Sequence, residues 1–304
     1  MSSPTIDMDV LCVGHACYDL TFAVPHHPAA DEKAVAEALV GSGGGPAANA
    51  AVAVARLGLQ AAFAGYLGND PCGELHFKEL HSAGVSTKFV VRGSAPTPLS
   101  AILVKPDGKR TVINYRSQTD FLAEGSLDLS AVSPRVILFD GHEPHLSLPL
   151  VRKARQAGIP SVLDAGSVRL GTRTLADKVD YLVCSEKFAR EFTGLENPER
   201  AALELHTLAP NVVVTLGKAG LVWANGGKPQ RLPAFEVRAV DSTGAGDAFH
   251  GSLAACLAED REWETALRFA SAAAALTCTH LGARPGLPTR DEVNKFLLDH
   301  PYES

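Results

Sequence analysis

Apolar and polar positions along the chain alternate between two rhythms. Short continuous apolar runs occur at residues 10–13, 61–67, 136–139, 161–163, 181–184 and 212–216. Runs of that length, bounded by turn residues, fit strands buried on both faces. Between them lie longer segments of helical spacing at 45–57, 73–83, 147–157, 186–193 and 198–208, the first two followed by Gly58 and Gly84. Glycine just past the last periodic residue is a helix stop, because it enters the left-handed region without steric cost. The last third of the chain is helical, at 245–258, 263–280 and 290–298. Strands alternating with helices predict βαβ units, and so an α/β fold whose mostly parallel sheet is covered on both faces.

Two stretches depart from this rhythm. Residues 99–115 read as a hairpin, with Asp107-Gly108 at the turn and a β-rich arm on each side. Residues 20–40 are short and alternating after Pro25 and Pro28. Neither stretch carries a helix, so the two predict a small β lid formed by segments at about 20–40 and 92–117. No linker, repeat or low-complexity tract divides the chain, and one domain over residues 1–304 is expected.

Composition narrows the function classes. Apolar residues make up 46% and charged residues 20%, ordinary for a globular protein and contrary to disorder. A formal net charge of −6 without any basic block gives no general attraction to nucleic acid or anionic membrane. No apolar run approaches the ~20 residues that span a bilayer. Residues 1–9 lack the basic region and apolar core of a secretion signal, so a cytoplasmic location is expected. The six cysteines form no CxxC pair and lie mostly in apolar runs, which predicts buried free thiols. The eleven histidines show no metal-binding spacing, so metal binding by histidine is not expected.

The segment Asp241-Ser242-Thr243-Gly244-Ala245-Gly246-Asp247-Ala248-Phe249-His250-Gly251 carries the strongest chemistry. Gly244 and Gly246 let the backbone turn tightly just before an apolar helix. A helix start exposes unpaired N–H groups and the positive end of the helix dipole, which together favour an anion such as phosphate. Asp247, in the first turn, would accept a proton from a hydroxyl attacking that phosphate. The plainer alternative is that Asp241 or Ser242 caps the helix, yet a cap needs one polar residue, not two aspartates bracketing the turn.

Three other places add to it. Gly41-Ser42-Gly43-Gly44-Gly45-Pro46-Ala47-Ala48-Asn49 leads into a helix; a flexible turn or a dinucleotide loop are alternatives, but close backbone approach to a polar ligand is the better use, with Asn49 offering a donor and an acceptor. Asp19 follows the first strand, where a parallel sheet exposes its ligands. Thr215, Gly217 and Lys218 end a strand in a way that suits a nucleotide phosphate.

In this order and spacing, these pieces resemble the ribokinase-like (PfkB) carbohydrate kinases. The resemblance extends from Val10 to about Pro288 and rests on the two segments 43–49 and 241–251 occurring together. It implies a three-layer α/β/α fold with a β lid, and ATP-dependent phosphorylation of a sugar or related alcohol. Asp247 matches the family's base, and the N–H groups of Gly244, Ala245 and Gly246 match its anion hole. Asp19, Gly44, Gly45 and Asn49 match sugar-binding positions, and Thr215 and Gly217 the nucleotide-binding strand end. The resemblance also implies Mg²⁺ travelling with ATP, a monovalent cation such as K⁺ beside Asp241 and Thr243, and a homodimer paired through the lid.

One departure is informative. The family's Asn-x-x-Glu motif is replaced by Ser185-Glu186-Lys187-Phe188, which leaves Glu186 as the only nearby acid for Mg²⁺. Ser-Glu at that place, the triple glycine before Pro46 and Thr111-Val112-Ile113-Asn114-Tyr115 resemble ketohexokinases and especially sulfofructose kinases. Lys33 and Asn114 match the lid pair that recognises an anionic sugar there, whereas an arginine expected near His142 is missing. The expected activity is phosphoryl transfer from ATP to a primary hydroxyl of a ketose or ketose derivative, fructose-like or sulfofructose-like. Ribokinase- or nucleoside-kinase-type activity is one alternative. A non-catalytic sensor is another, against which Asp247 argues. A nicotinamide oxidoreductase would need a first-turn dinucleotide fingerprint that the sequence lacks.

Overall fold

The computed structural model describes residues 6–116, 119–129 and 132–301. In chain order its first half contains β1 (Ile6–Val13), β2 (Cys17–Ala23), β3 (Ala38–Gly44), α1 (Pro46–Arg56), β4 (Ala61–Gly68), α2 (Pro71–Ser82), β5 (Ser86–Gly93), β6 (Leu99–Val104), β7 (Arg110–Tyr115), β8 (Val132–Phe139) and α3 (Pro144–Ala157). The second half contains β9 (Ser161–Ala165), α4 (Leu170–Leu175), β10 (Tyr181–Ser185), α5 (Glu186–Thr193), α6 (Pro198–His206), β11 (Asn211–Thr215), β12 (Leu221–Ala224), β13 (Gln230–Leu232), α7 (Ala245–Ala258), α8 (Trp263–Thr277), α9 (Ala283–Gly286) and α10 (Arg290–Asp299).

The main sheet has the order β13-β12-β11-β10-β9-β8-β1-β4-β5, parallel except for β12 and β13. Its apolar strands are buried on both faces because helices cover both. In β1, Val10 and Cys12 join one core with α1, α7 and α8, while Leu11 and Val13 join the other with α3, α5 and α6. The chain leaves β1 toward β4 and β5, then returns through β8 to build the other half of the sheet. This reversal at the β1/β8 pair opens a crevice at the carboxyl ends of those strands, the usual ligand position in open α/β sheets.

A second sheet has the order β3-β2-β6-β7, with β2 and β6 parallel and both outer pairs antiparallel. The hairpin expected at 99–115 is β6–β7, with Gly108 at φ 74° in its turn. The other segment differs from expectation, since residues 24–37 form no strand and β2 begins earlier, at Cys17. The turn alternative for the glycine run does not hold. Gly41 to Gly44 continue β3, paired with Tyr18 and its neighbours, and only Gly45 bends the chain into α1. Residues 92 and 93, expected in the lid, end β5 of the main sheet, and residue 117 lies outside the described residues.

Register sorts the faces of this small sheet. Ser42, Asp19, Ser100 and Asn114 lie side by side across it on one face. Phe22, Leu39, Leu103 and Thr111 form a row on the other. No helix among the described residues is long and apolar enough to cross a membrane.

Candidate active site

The turn before α7 is built as an open helix start. Gly244 is the N-cap residue in the left-handed conformation (φ 79°), and no side chain caps the helix there. A Cβ on Gly244 would also collide with Ala283. Asp241 is fully buried and spends its carboxylate on tying the loop together. Its Oδ1 accepts from the Thr243 N–H (2.9 Å) and hydroxyl (2.7 Å), and its Oδ2 from the Gly282 N–H (2.9 Å). Neither Asp241 nor Ser242 caps the helix with its side chain; the Ala245 N–H makes only a long 3.3 Å bond to the Ser242 carbonyl, and the helix start still faces outward as an anion site. A Cβ on Gly246 would meet nothing within 4 Å, so the space above the helix start is clear.

Asp247 stands in that first turn, half-buried. Asn49 Nδ2 donates to Asp247 Oδ2 at 2.7 Å, joining the two motif segments. Burial raises the Asp247 pKa; the Asn49 hydrogen bond and the charges of His250 and Arg110 oppose that, and Asp140 adds to it. Asn49 is oriented from behind by Arg284, whose Nε donates to Asn49 Oδ1 at 2.8 Å. A guanidinium only donates and a carboxylate accepts, so the amide can face only one way. Arg284 is itself buried, with Nη2 donating to His76 Nε2 (2.8 Å) and Nη1 lying 3.6 Å from Glu79 Oε2. Burial lowers its pKa to about 10, which leaves it charged at neutral pH. Sequence reading missed Arg284 and His76, since an arginine in a Gly-Ala-Arg-Pro-Gly loop and a histidine inside a helix carry no motif.

Asp19 lies within β2 of the small sheet rather than in a loop after the first strand. Its carboxylate is buried, accepts from the Cys17 thiol (Sγ to Oδ1, 3.1 Å), and presses so closely on β3 that any Cβ on Gly44 would collide with it. Burial raises the Asp19 pKa. The glycine run thus serves close approach, as its composition suggests, but as a strand. Asn114 shares the Asp19 face of the sheet, whereas Lys33 is exposed in the segment between β2 and β3.

A further hub stands at the β1/β8 crevice, and sequence reading did not single it out. Asp140, just past β8, accepts from the backbone N–H groups of His15 (2.7 Å), Ala47 (3.1 Å) and His142 (2.9 Å). Burial alone would raise its pKa, but the nearby His142 and these N–H groups hold it well below the carboxylate range. Through Ala47 it fixes the first turn of α1, and hence Asn49. Arg169, distant in sequence, comes beside His142 and hydrogen-bonds its Nε2. Arg116 lies 3.7 Å from buried Glu143, whose pKa burial raises to about 7. Arg110, at the start of β7, reaches across to donate to the Ser242 hydroxyl.

On the opposite side, Thr215 ends β11, and its hydroxyl donates to Cys184 O at 3.2 Å. Gly217, at φ 57°, and Lys218 form an exposed single turn. The serine that departs from the family motif has a local task. Ser185 Oγ accepts from Phe188 N (3.0 Å) as the N-cap of α5, the same helix-start role that suits asparagine. Glu186 follows it, exposed. Among the described residues no three His, Cys, Asp or Glu side chains gather to hold a metal. That donor set fits Mg²⁺ only as an ion bound mainly through substrate phosphates, with one or two carboxylates assisting.

Comparison with known proteins accounts for this arrangement. Residues 7–290 match the pattern of the pfkB family carbohydrate kinases. The chain is 30% identical to the ribokinase of Bacillus subtilis over 95% of its own length and 99% of the relative's. It is 32% identical to fructokinase-1 of rice over 87% of its length and 91% of that protein's. The structure of Arabidopsis thaliana ribokinase complexed with ribose and ATP superposes with a TM-score of 0.82 at 27% identity, covering 96% of this chain and 99% of that one. The three-layer architecture with its second sheet is therefore the ribokinase-like fold. The chain belongs to the pfkB family of carbohydrate kinases and is an ATP-dependent sugar kinase.

Proposed function

We propose that this kinase transfers the γ-phosphate of ATP to a primary hydroxyl of a ketose or ketose derivative. The observation that carries this reading is the 2.7 Å contact between Asn49 and Asp247 beside an uncapped helix start. Asp247 takes the hydroxyl proton, and the amides of Gly244, Ala245 and Gly246 receive charge developing on the phosphoryl group. Asp19, Gly44, Gly45 and Asn49 face the sugar, with Asn114 and Lys33 reading its far end from the lid. Thr215, Gly217 and Lys218 hold the nucleotide. Glu186 would help hold the Mg²⁺ carried by ATP, which would supply neutralisation of phosphate charge. K⁺ would sit beside Asp241 and Thr243.

The outer face of the small sheet supports a homodimer, since Leu39, Ile113 and Tyr115 there are each more than half exposed. An Ile113→Asp variant that sediments like the wild type would remove that part of the reading.

The ribose-named relatives favour ribose as a second reading. A panel of fructose, sulfofructose, ribose, fructose 1-phosphate and adenosine, with and without Mg²⁺ and K⁺, separates them by ADP release. The ketose reading expects the highest kcat/KM with fructose or sulfofructose, and a preference for ribose or adenosine overturns it. Nucleotide binding without ADP release on any acceptor would point to a sensor.

A further inference from the structure

His250 lies one helical turn beyond Gly246 in α7, and its ring is buried. Its Nδ1 is 2.6 Å from the carbonyl oxygen of Gly246, and its Nε2 is 3.2 Å from that of Val183 in β10. Carbonyl oxygens only accept, whereas a neutral imidazole carries a single N–H. A neutral ring would therefore set a nitrogen lone pair against an oxygen lone pair in a buried site, where an unpaired polar atom is costly. Both contacts are satisfied at once only by a ring protonated on both nitrogens. Asp164 of β9 supplies the counter-charge, with its buried carboxylate oxygen Oδ2 3.4 Å from Nδ1.

We propose that His250 is held as an imidazolium beneath the turn that opens α7, as a positioning residue for Asp247 and a source of positive potential under the transferring phosphoryl group. The Gly246 carbonyl and the Asp247 N–H belong to one rigid peptide plane, so a donor that fixes one fixes the direction of the other. The contact to Val183 anchors that helix turn to the carboxyl half of β10, and the ion pair anchors it to β9. A charge fixed there acts with the helix dipole, and does so in a low-dielectric site where it is weakly screened. Burial raises the Asp164 pKa to about 6, with Asp247 and Asp140 adding to the rise and His250 and His142 opposing it, so its carboxylate is ionised at pH 7. Burial, with the Asp164 charge adding to it, pushes the Cys184 thiol of β10 up, so it stays protonated.

This inference rests on the proposed roles of Asp247 and the Gly244–Gly246 turn, but its first test does not. In the intact enzyme labelled with ¹⁵N-histidine, imidazole NMR at pH 7 reads the protonation of each ring nitrogen, and His250→Gln assigns the resonance. Two proton-bearing nitrogens are expected; one bare nitrogen overturns the proposal whatever the reaction. Steady-state kinetics then test the positioning role. Glutamine keeps a donor but loses the charge, so kcat should fall roughly 10- to 100-fold, toward the range for losing one preorganised donor. KM for ATP and sugar should stay within about threefold, because the charge matters most in the transition state. An unchanged kcat overturns the role even if the ring is doubly protonated. Should His250→Gln fail to fold, Asp164→Asn answers the same question. It should leave the ring with one N–H and lower kcat similarly, and a ring still doubly protonated with full activity overturns the pairing.

Discussion

Asn49 and Asp247, 198 positions apart in the sequence, meet in a 2.7 Å hydrogen bond between amide and carboxylate. The bond leaves Asp247 one oxygen for a substrate hydroxyl and Asn49 one N–H for the sugar, since the Asn49 carbonyl is spent on Arg284. Removing the carboxylate should therefore stop chemistry without disturbing packing. Asp247→Ala is expected to lower kcat at least ~100-fold, the lower end for a general base, with little change in Tm. Steady-state rates beside a thermal melt decide it, and full activity in the variant would remove Asp247 from the mechanism.

The same bond sets a pH dependence. A base must be ionised, and burial raises the Asp247 pKa, so the acid limb of kcat/KM should lie above the ordinary carboxylate range, with activity lost as pH falls through it. The Asn49 hydrogen bond lowers that pKa. Asn49→Ala should move the acid limb to higher pH as well as weaken sugar binding, and a limb that stays in place would show that another group titrates.

The two glycines of the turn should separate stability from turnover. Gly246 has open space at its Cβ position and lies within the helix, so Gly246→Val should fold normally and lose turnover by standing where the phosphate must come. Gly244 is left-handed and tight against Ala283, so Gly244→Val should lower Tm as well. Melting curves and kcat for the pair read this directly; equal Tm losses would contradict it.

Arg284 is the buried donor that satisfies both Asn49 Oδ1 and His76 Nε2. Arg284→Met leaves those two acceptors without a donor, which should cost about 2–6 kcal/mol of stability at about 1–3 kcal/mol for each buried group. It should also raise the KM for the sugar, because the Asn49 amide is then free to flip. Chemical denaturation and sugar-dependent kinetics test the two effects separately.

What could be read from the sequence was local. The apolar runs gave the parallel strands because strands buried on both faces need no alternation to be recognised, and 245–258 matches α7 because glycines and a long apolar segment bound it. The glycine run showed its close approach but not its strand, since Gly43 meets His76, Gly44 meets Asp19 and Gly45 meets the His15–Ala16 backbone, all distant in sequence. Ser86–Gly93, a strand of mixed polar character at the sheet edge, left no periodic trace. Asp140, Asp164, Arg284 and His250 escaped for a different reason. Each acts on a partner distant in sequence, and single buried polar residues inside apolar elements carry no spacing to match. Arg169 shows the limit well: it lies 27 positions from His142 yet hydrogen-bonds it.

Arg110 leaves the lid strand β7 to bond Ser242 in the segment that opens α7. If the small sheet encloses the acceptor and the α7 turn receives the donor's phosphate, as proposed, one side chain touches both. Any ligand that favours this arrangement favours it for both ends, so each substrate should tighten the other by the same factor, as reciprocity of binding free energies requires. An enzyme wired in this way would keep ATP from being spent on water while no acceptor is present, and Arg110→Ala should surface as raised idle hydrolysis before it surfaces as lost affinity.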